Sequence, residues 1–229
     1  MADDDIPCRG FASPPCFMHE IDPDYTGLPP GVDDRQATDV KRWRKAERLR
    51  LLNERQKLAP KVRQTLTRQL QDNLTEFLGS LGPVCISGYW PIRGEPDLRG
   101  VLKDVIAAGG RAALPVVAER NRPLQFRAWS PGDRLERGIW DIPTPPAEAE
   151  MLRPDVLLAP FLGFDANLYR LGHGGGYFDR TLAVLDDRPV VIGVGFAMAQ
   201  IPTIYPQPHD IPMTMIVTEK EILQPPQGS

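Results

Sequence analysis

Short apolar runs separated by amphipathic segments recur along most of this chain. Val84–Trp90, Arg111–Val117, Val156–Pro160, Pro189–Phe196 and Met213–Thr218 read as buried strands, because each run is short and flanked by glycine, proline or charged residues. Leu124–Trp129 and Leu135–Ile142 are expected as shorter strands or a hairpin around the turn Ser130-Pro131-Gly132-Asp133. Helical spacing fills the intervals. Asp39 is the expected N-cap of a first helix running to Leu58, with Trp43, Leu49, Leu52 and Leu58 on one face. A second helix is expected over Lys61–Leu78, ended by Gly79 and Gly82, a third over Asp97–Ala108, and a fourth over Tyr177–Leu185. Strands alternating with helices at this spacing predict an α/β domain, a mainly parallel sheet covered on both faces.

This pattern is absent at both ends. Residues 1–38 mix acidic residues, prolines and glycines without a period and are expected to form a flexible or loosely docked arm; 39–223 read as one domain and 224–229 as a tail. At 229 residues, 41% hydrophobic and 25% charged, the chain has the composition of a globular protein with one sizeable core. A net charge of −3 argues against a general nucleic-acid surface. No apolar run reaches the roughly 18 residues of a membrane span, and the acidic start lacks the basic and apolar regions of a signal peptide. The expected partners therefore include neither nucleic acid nor membrane, and the expected compartment is the cytoplasm. Cys8, Cys16 and Cys85 form no CxxC pair and are expected to stay reduced.

Candidate chemistry gathers in Arg170–Arg180, RLGHGGGYFDR. Gly172, Gly174, Gly175 and Gly176 let a ligand approach main-chain N–H groups, and the positive end of the following helix favours an anion. Arg170 adds a two-pronged donor, and Asp179 adds a carboxylate suited to Mg²⁺. The loop is neither GxxxxGK[ST] nor a first-turn GxGxxG, and there is no GxSxG. Three histidines without a CxxC disfavour zinc. Asp179 and Asp210 form the candidate carboxylate pair for Mg²⁺-nucleotide chemistry. Glu95 and Asp97 follow a strand at the end where open α/β sheets bind ligands. Asp97 reads as a helix cap, which leaves Glu95 as the functional candidate. Trp129 and Trp140 read as core or cover. The first helix carries Lys41, Arg42, Arg44, Lys45, Arg48 and Arg50, either as a solvated face or as cations that reach an anionic ligand.

With PDVLLAPFLGFD before it, the glycine loop resembles the signature of the 5-formyltetrahydrofolate cyclo-ligases, or methenyltetrahydrofolate synthetases. ERQKLAP, YWPIRGEPDL, WDIPTP, IGVGFAMAQ and HDIPMTMIVTE match in the same order. The resemblance covers about Asp39 to Glu221. It implies a three-layer, Rossmann-like α/β fold and ATP- and Mg²⁺-dependent closure of 5-formyltetrahydrofolate to 5,10-methenyltetrahydrofolate, with the formyl oxygen phosphorylated before N10 closes the ring. By the same resemblance Arg170, Gly172, Gly174, Gly175 and Gly176 hold the phosphates, together with Arg44, Lys45 or Arg48 of the first helix. Asp179 and Asp210 serve Mg²⁺, Trp90 and Glu95 meet the pterin, Tyr177 lines the shared site, and His173 joins Tyr177 as a catalytic candidate. The chain departs from the family pattern at His173, where Arg is usual, at Gly175, where Lys or Arg is frequent, and at Phe178, where Tyr is common. These departures keep two alternatives open: ATP-dependent ligation of another amide or acid, and a non-catalytic nucleotide- or folate-binding regulator. The expected partner is a small-molecule folate, and the expected state a monomer or weak homodimer.

Overall fold

A computed structural model describes residues 34–185 and 189–225. The expected arm lies outside the described residues up to position 33, as do 226–229 of the tail. The chain divides into two compact units, 1–50 and 51–229.

The described part of the first unit is the amino-terminal stretch of α1 (Asp34–Lys57). The helix starts before Asp39, because no glycine or proline interrupts residues 34–38. Asp39 is therefore not an N-cap. Its carboxylate lies 3.6 Å from Arg42, one turn further on. Leu49, expected on the buried face, is 61% exposed. Among the basic residues Lys41, Arg42 and Lys45 are exposed, Arg48 is half-buried and Arg44 is buried.

In the second unit the end of α1 contributes Leu51 and Arg55 as buried residues. α2 (Pro60–Gly79) opens on a proline, where a missing N–H costs no helical hydrogen bond, and buries Leu70, Leu74 and Leu78 along one stripe. The sheet strands are β1 (Cys85–Ser87), β2 (Arg111–Val116), β3 (Gln125–Ala128), β6 (Val156–Pro160), β9 (Val190–Val194), β10 (Met215–Val217) and β11 (Ile222–Leu223). They lie in the order β11-β10-β9-β6-β1-β2-β3. The pairs β10–β9, β9–β6, β6–β1 and β1–β2 are parallel, and β3 and β11 close the two edges antiparallel.

Alternation along these strands builds both outer layers. Val156 and Leu158 of β6 join Ile86, Ala112 and Leu114 in a core with α2 and with Leu102 of α3 (Arg99–Ala107). Leu157 and Ala159, one residue out of phase, join Ala113, Val191 and Ile216 on the opposite face. There they meet Phe178 and Leu182 of α4 (Tyr177–Leu182). A one-residue slip would exchange the two sets, so burial on both faces fixes the register. Among the described residues no helix is long and apolar enough to cross a membrane.

Two local alternatives are decided and one helix end is corrected, with Leu124–Ile142 forming shorter strands rather than a hairpin. The Ser130–Asp133 turn forms, with Asp133 N donating to Ser130 O at 3.1 Å, but it joins no hairpin. β3 pairs with β2, whereas β4 (Glu136–Arg137) pairs with β5 (Pro143–Thr144). Trp140 is not core: it sits in a 3-10 turn at φ 60° and is 66% exposed. Trp129 is buried as expected. The fourth helix ends at Leu182 rather than Leu185, so its dipole is that of six residues.

Strand order places the crevice. β1 leads through α3 to β2 on one side, and β6 leads through α4 to β9 on the other. β1 and β6 are neighbours at the point where the winding reverses, and segments leaving their carboxyl ends line the ligand-binding end of such a sheet.

Candidate active site

Two segments leave that point. After β1 the backbone runs through Gly88–Trp90 to a turn in which Glu95 N donates to Ile92 O at 3.0 Å, with Arg93 and Gly94 in the left-handed region. After β6 the chain does not enter the glycine loop directly. It first makes a hairpin of β7 (Gly163–Phe164) and β8 (Arg170–Leu171), which places Arg170 on a buried strand. Asp165 pins this hairpin. It is fully buried, with Oδ1 accepting from Asn167 N and Tyr169 N at 3.0 and 3.2 Å and Oδ2 from Ile204 N at 3.0 Å.

Gly174 and Gly176 hold φ of 98° and 64°, which side chains with a Cβ rarely adopt. Gly176 is also the residue before α4, so the left-handed turn aims the loop as the helix begins. Arg170 Nη2 lies 3.1 Å from Asp179 Oδ2, and its guanidinium stacks 4.8 Å from the centre of the Phe178 ring. The phosphate cation and the metal carboxylate expected from the sequence are thus brought together.

Glu95 meets the same loop. His173 Nε2 is 2.8 Å from Glu95 Oε1, across 78 residues of sequence. Glu95 Oε2 accepts from Ile92 N at 2.9 Å. Arg55, which sequence reasoning did not single out, stands behind them. Its Nε donates to Arg93 O at 3.2 Å, its Nη1 to Phe161 O at 3.1 Å, and its Nη2 lies 3.8 Å from Glu95 Oε1. Burial pulls the Arg55 guanidinium below its usual value, while Glu95 pulls it back up. Tyr89, fully buried with its hydroxyl donating to Pro96 O at 2.8 Å, is pushed well above the usual tyrosine value by burial and then by Glu95.

The other candidates make contacts of their own. Trp90 packs at the edge of the core with the Arg99 guanidinium 4.6 Å from its ring centre, so a cation covers one face of the indole. Asp97 is not the N-cap, which falls on Leu98 because the helix begins at Arg99; its Oδ1 accepts from Arg99 N at 3.1 Å, and its Oδ2 pairs with Arg99 Nη2 at 2.6 Å. Tyr177 meets Trp140 edge-on at 5.6 Å and Arg180 at 5.1 Å. Asp210 lies in the proline-rich loop, where Oδ2 accepts from Gln207 N at 2.7 Å and Oδ1 is 3.9 Å from His209 Nε2. Arg44, Lys45 and Arg48 stand on the part of α1 in the first unit. A cleft of about 370 Å³ between α2 and the Glu95 segment is lined by Arg63, Arg68, Gln71, Glu95 and Asp97.

This arrangement offers main-chain donors and an arginine for an anion, carboxylates for a cation, and a buried carboxylate for a paired N–H donor. Known proteins match this chain in sequence and in fold. The profile of the 5-formyltetrahydrofolate cyclo-ligase family matches residues 40–219. The 5-formyltetrahydrofolate cyclo-ligase of Mycolicibacterium smegmatis is 33% identical over 180 residues, 76% of this chain and 92% of that one. Its Escherichia coli counterpart is 25% identical over 174 residues, 73% and 96% of the two chains. The solved structure of Aquifex aeolicus 5,10-methenyltetrahydrofolate synthetase matches with a TM-score of 0.70 and 27% identity, over 81% of this chain and 94% of that one. That of the Mycoplasma pneumoniae synthetase shares the fold at a TM-score of 0.64 and 22% identity, over 77% and 98%. The chain belongs to the 5-formyltetrahydrofolate cyclo-ligase family.

Proposed function

We propose that this chain converts 5-formyltetrahydrofolate and ATP to 5,10-methenyltetrahydrofolate, ADP and phosphate, in the cytoplasm. The observation that carries this reading is the contact between Glu95 and His173, which joins the segment after β1 to the glycine loop at the reversal point of the sheet. A formamide oxygen is a poor leaving group. Its attack on the γ-phosphorus, with ADP departing, makes it a good one; N10 then adds to the formyl carbon and loses its proton, and inorganic phosphate leaves as the methenyl bridge forms. Such a route demands positioning and charge neutralisation more than a protein nucleophile.

The residues divide the task. Main-chain N–H groups of Gly172, Gly174, Gly175 and Gly176 cradle the phosphates, and Arg170 neutralises them once its pairing with Asp179 is shared with the ligand. Glu95 accepts from the pterin amino and ring N–H groups, with Trp90 and Tyr177 beside the ring and His173 between pterin and loop. Among the described residues no group of three His, Cys, Asp or Glu could hold a metal by itself. Asp179 and Asp210 nevertheless suit Mg²⁺, which is commonly held by one or two carboxylates together with substrate phosphates and water. Bound there, Mg²⁺ supplies charge neutralisation at the phosphates.

The test is incubation with 5-formyltetrahydrofolate, Mg²⁺ and ATP while following methenyl absorbance. Product that depends on ATP supports the reading. Its absence with demonstrably folded protein refutes it.

A further inference from the structure

We propose that His173 is a gate on Glu95, displaced by the folate and thereby coupling the folate site to the phosphate loop; this rests on the function proposed above. The Glu95 side chain is only 2% exposed and its carboxylate is already engaged. Oε2 accepts from Ile92 N at 2.9 Å, and Oε1 faces His173 Nε2 at 2.8 Å. An ionised carboxylate only accepts, so Nε2 carries the proton of this bond. Arg55 Nη2, buried and without a hydrogen bond, stands 3.8 Å from the same oxygen and holds the charge on Glu95 from behind. With so little of the Glu95 side chain exposed, a pterin that pairs its amino and ring N–H groups with both oxygens reaches Oε1 only from the side that His173 now covers.

His173 can leave and Arg55 cannot. The imidazole keeps 30% of its surface and rides between Gly172 and Gly174, the latter at φ 98°, whereas the Arg55 side chain is 7% exposed and is tied to Arg93 O and Phe161 O. Exchanging the His173 bond for a pterin bond replaces one charge-assisted contact with another, so the exchange itself is close to balanced. The released imidazole stays on the backbone that cradles phosphate and adds a donor on the nucleotide side. Folate binding then alters the loop that ATP meets, and by linkage ATP alters folate affinity by the same factor. His173 is thus a positioning residue as well as a cover.

Calorimetry on the full chain tests this with 5-formyltetrahydrofolate and a non-hydrolysable ATP analogue in Mg²⁺. For the unaltered protein, each ligand tightens the other by at least about fivefold. In His173→Ala, folate alone binds several-fold tighter than in the unaltered protein and the coupling falls to about one. In His173→Gln, whose amide can still donate to Oε1, folate affinity stays at the unaltered level. Folate binding to His173→Ala with no gain in affinity, or with the coupling intact, overturns the gate alone. Failure of the unaltered protein to bind the folate at all overturns the function and the gate together. If His173→Ala does not fold, the His173 ring resonance of the unaltered protein decides: it shifts on adding folate without nucleotide, and an unmoved resonance in the presence of bound folate overturns the gate.

Discussion

Replacing Arg55 by alanine removes the cation that stands behind the Glu95 carboxylate. The guanidinium donates to two carbonyls from distant parts of the sequence, Arg93 O at 3.2 Å and Phe161 O at 3.1 Å, and a hydrogen bond from a charged donor contributes about 1.5–3 kcal/mol. It is also the nearest cation behind Glu95, at 3.8 Å, with both side chains under a tenth exposed. Removing one partner of a buried pair costs about 3–5 kcal/mol, chiefly because the other charge remains buried. These effects overlap and are not to be added. Arg55→Ala is therefore expected to lose about 3–5 kcal/mol in urea unfolding and, at about 2–4 °C per kcal/mol for a chain of this length, roughly 10 °C in Tm. Because Glu95 loses its backing, KM for the folate rises as well. Arg55→Lys keeps the charge but cannot span three acceptors, and should fall between the two. A loss below about 1 kcal/mol in Arg55→Ala would refute the reasoning, because Glu95 would then be held without its cation.

Asp165→Ala leaves three N–H groups without their acceptor, that of Ile204 buried, and is expected to lose about 1–3 kcal/mol, with Asp165→Asn milder because one oxygen remains; chemical denaturation of both variants checks this. The Arg99 side-chain hydrogen bond holds the Asp97 carboxyl below the usual carboxylate range, against an opposing push from burial. Its folded value thus lies below the unfolded one, near 3.9. The stability it contributes is complete above that value and is lost as pH falls through the depressed folded value. Asp97→Asn should flatten this part of the acid-unfolding profile, and an unchanged profile would count against the pair. Burial, then Asp155, pushes the Cys85 thiol above its ordinary value, so alkylation of the Cys85 peptide at neutral pH should be slower in folded than in unfolded protein when followed by mass spectrometry.

The strands were legible because each apolar run is a stretch buried on one or both faces of a sheet, and β2, β6 and β9 lie within the expected segments. The glycine loop was legible as a backbone feature, because Gly174 and Gly176 take the positive φ that glycine favours. What the sequence hid was distance. Arg55 follows the basic residues of the first helix with nothing in the sequence to set it apart, and only folding brings it to Phe161 O, 106 residues away. Nothing in the sequence marks Asp165, since its partners in Asn167, Tyr169 and Ile204 are backbone groups that no residue type announces. Trp140 read as core or cover, and the sequence did not show which; a left-handed backbone at φ 60° turns it to the surface beside Tyr177. The first helix was started late because Asp39 is a good cap residue; an uninterrupted helical run before it made a cap there unnecessary.

The fate of the formyl oxygen tests the central claim most directly. 5-Formyltetrahydrofolate carrying ¹⁸O in the formyl group, incubated with ATP, Mg²⁺ and the protein, is predicted to deliver its label into inorganic phosphate at one oxygen per methenyltetrahydrofolate formed. Label appearing in water, or methenyl product formed without ATP, would contradict the account.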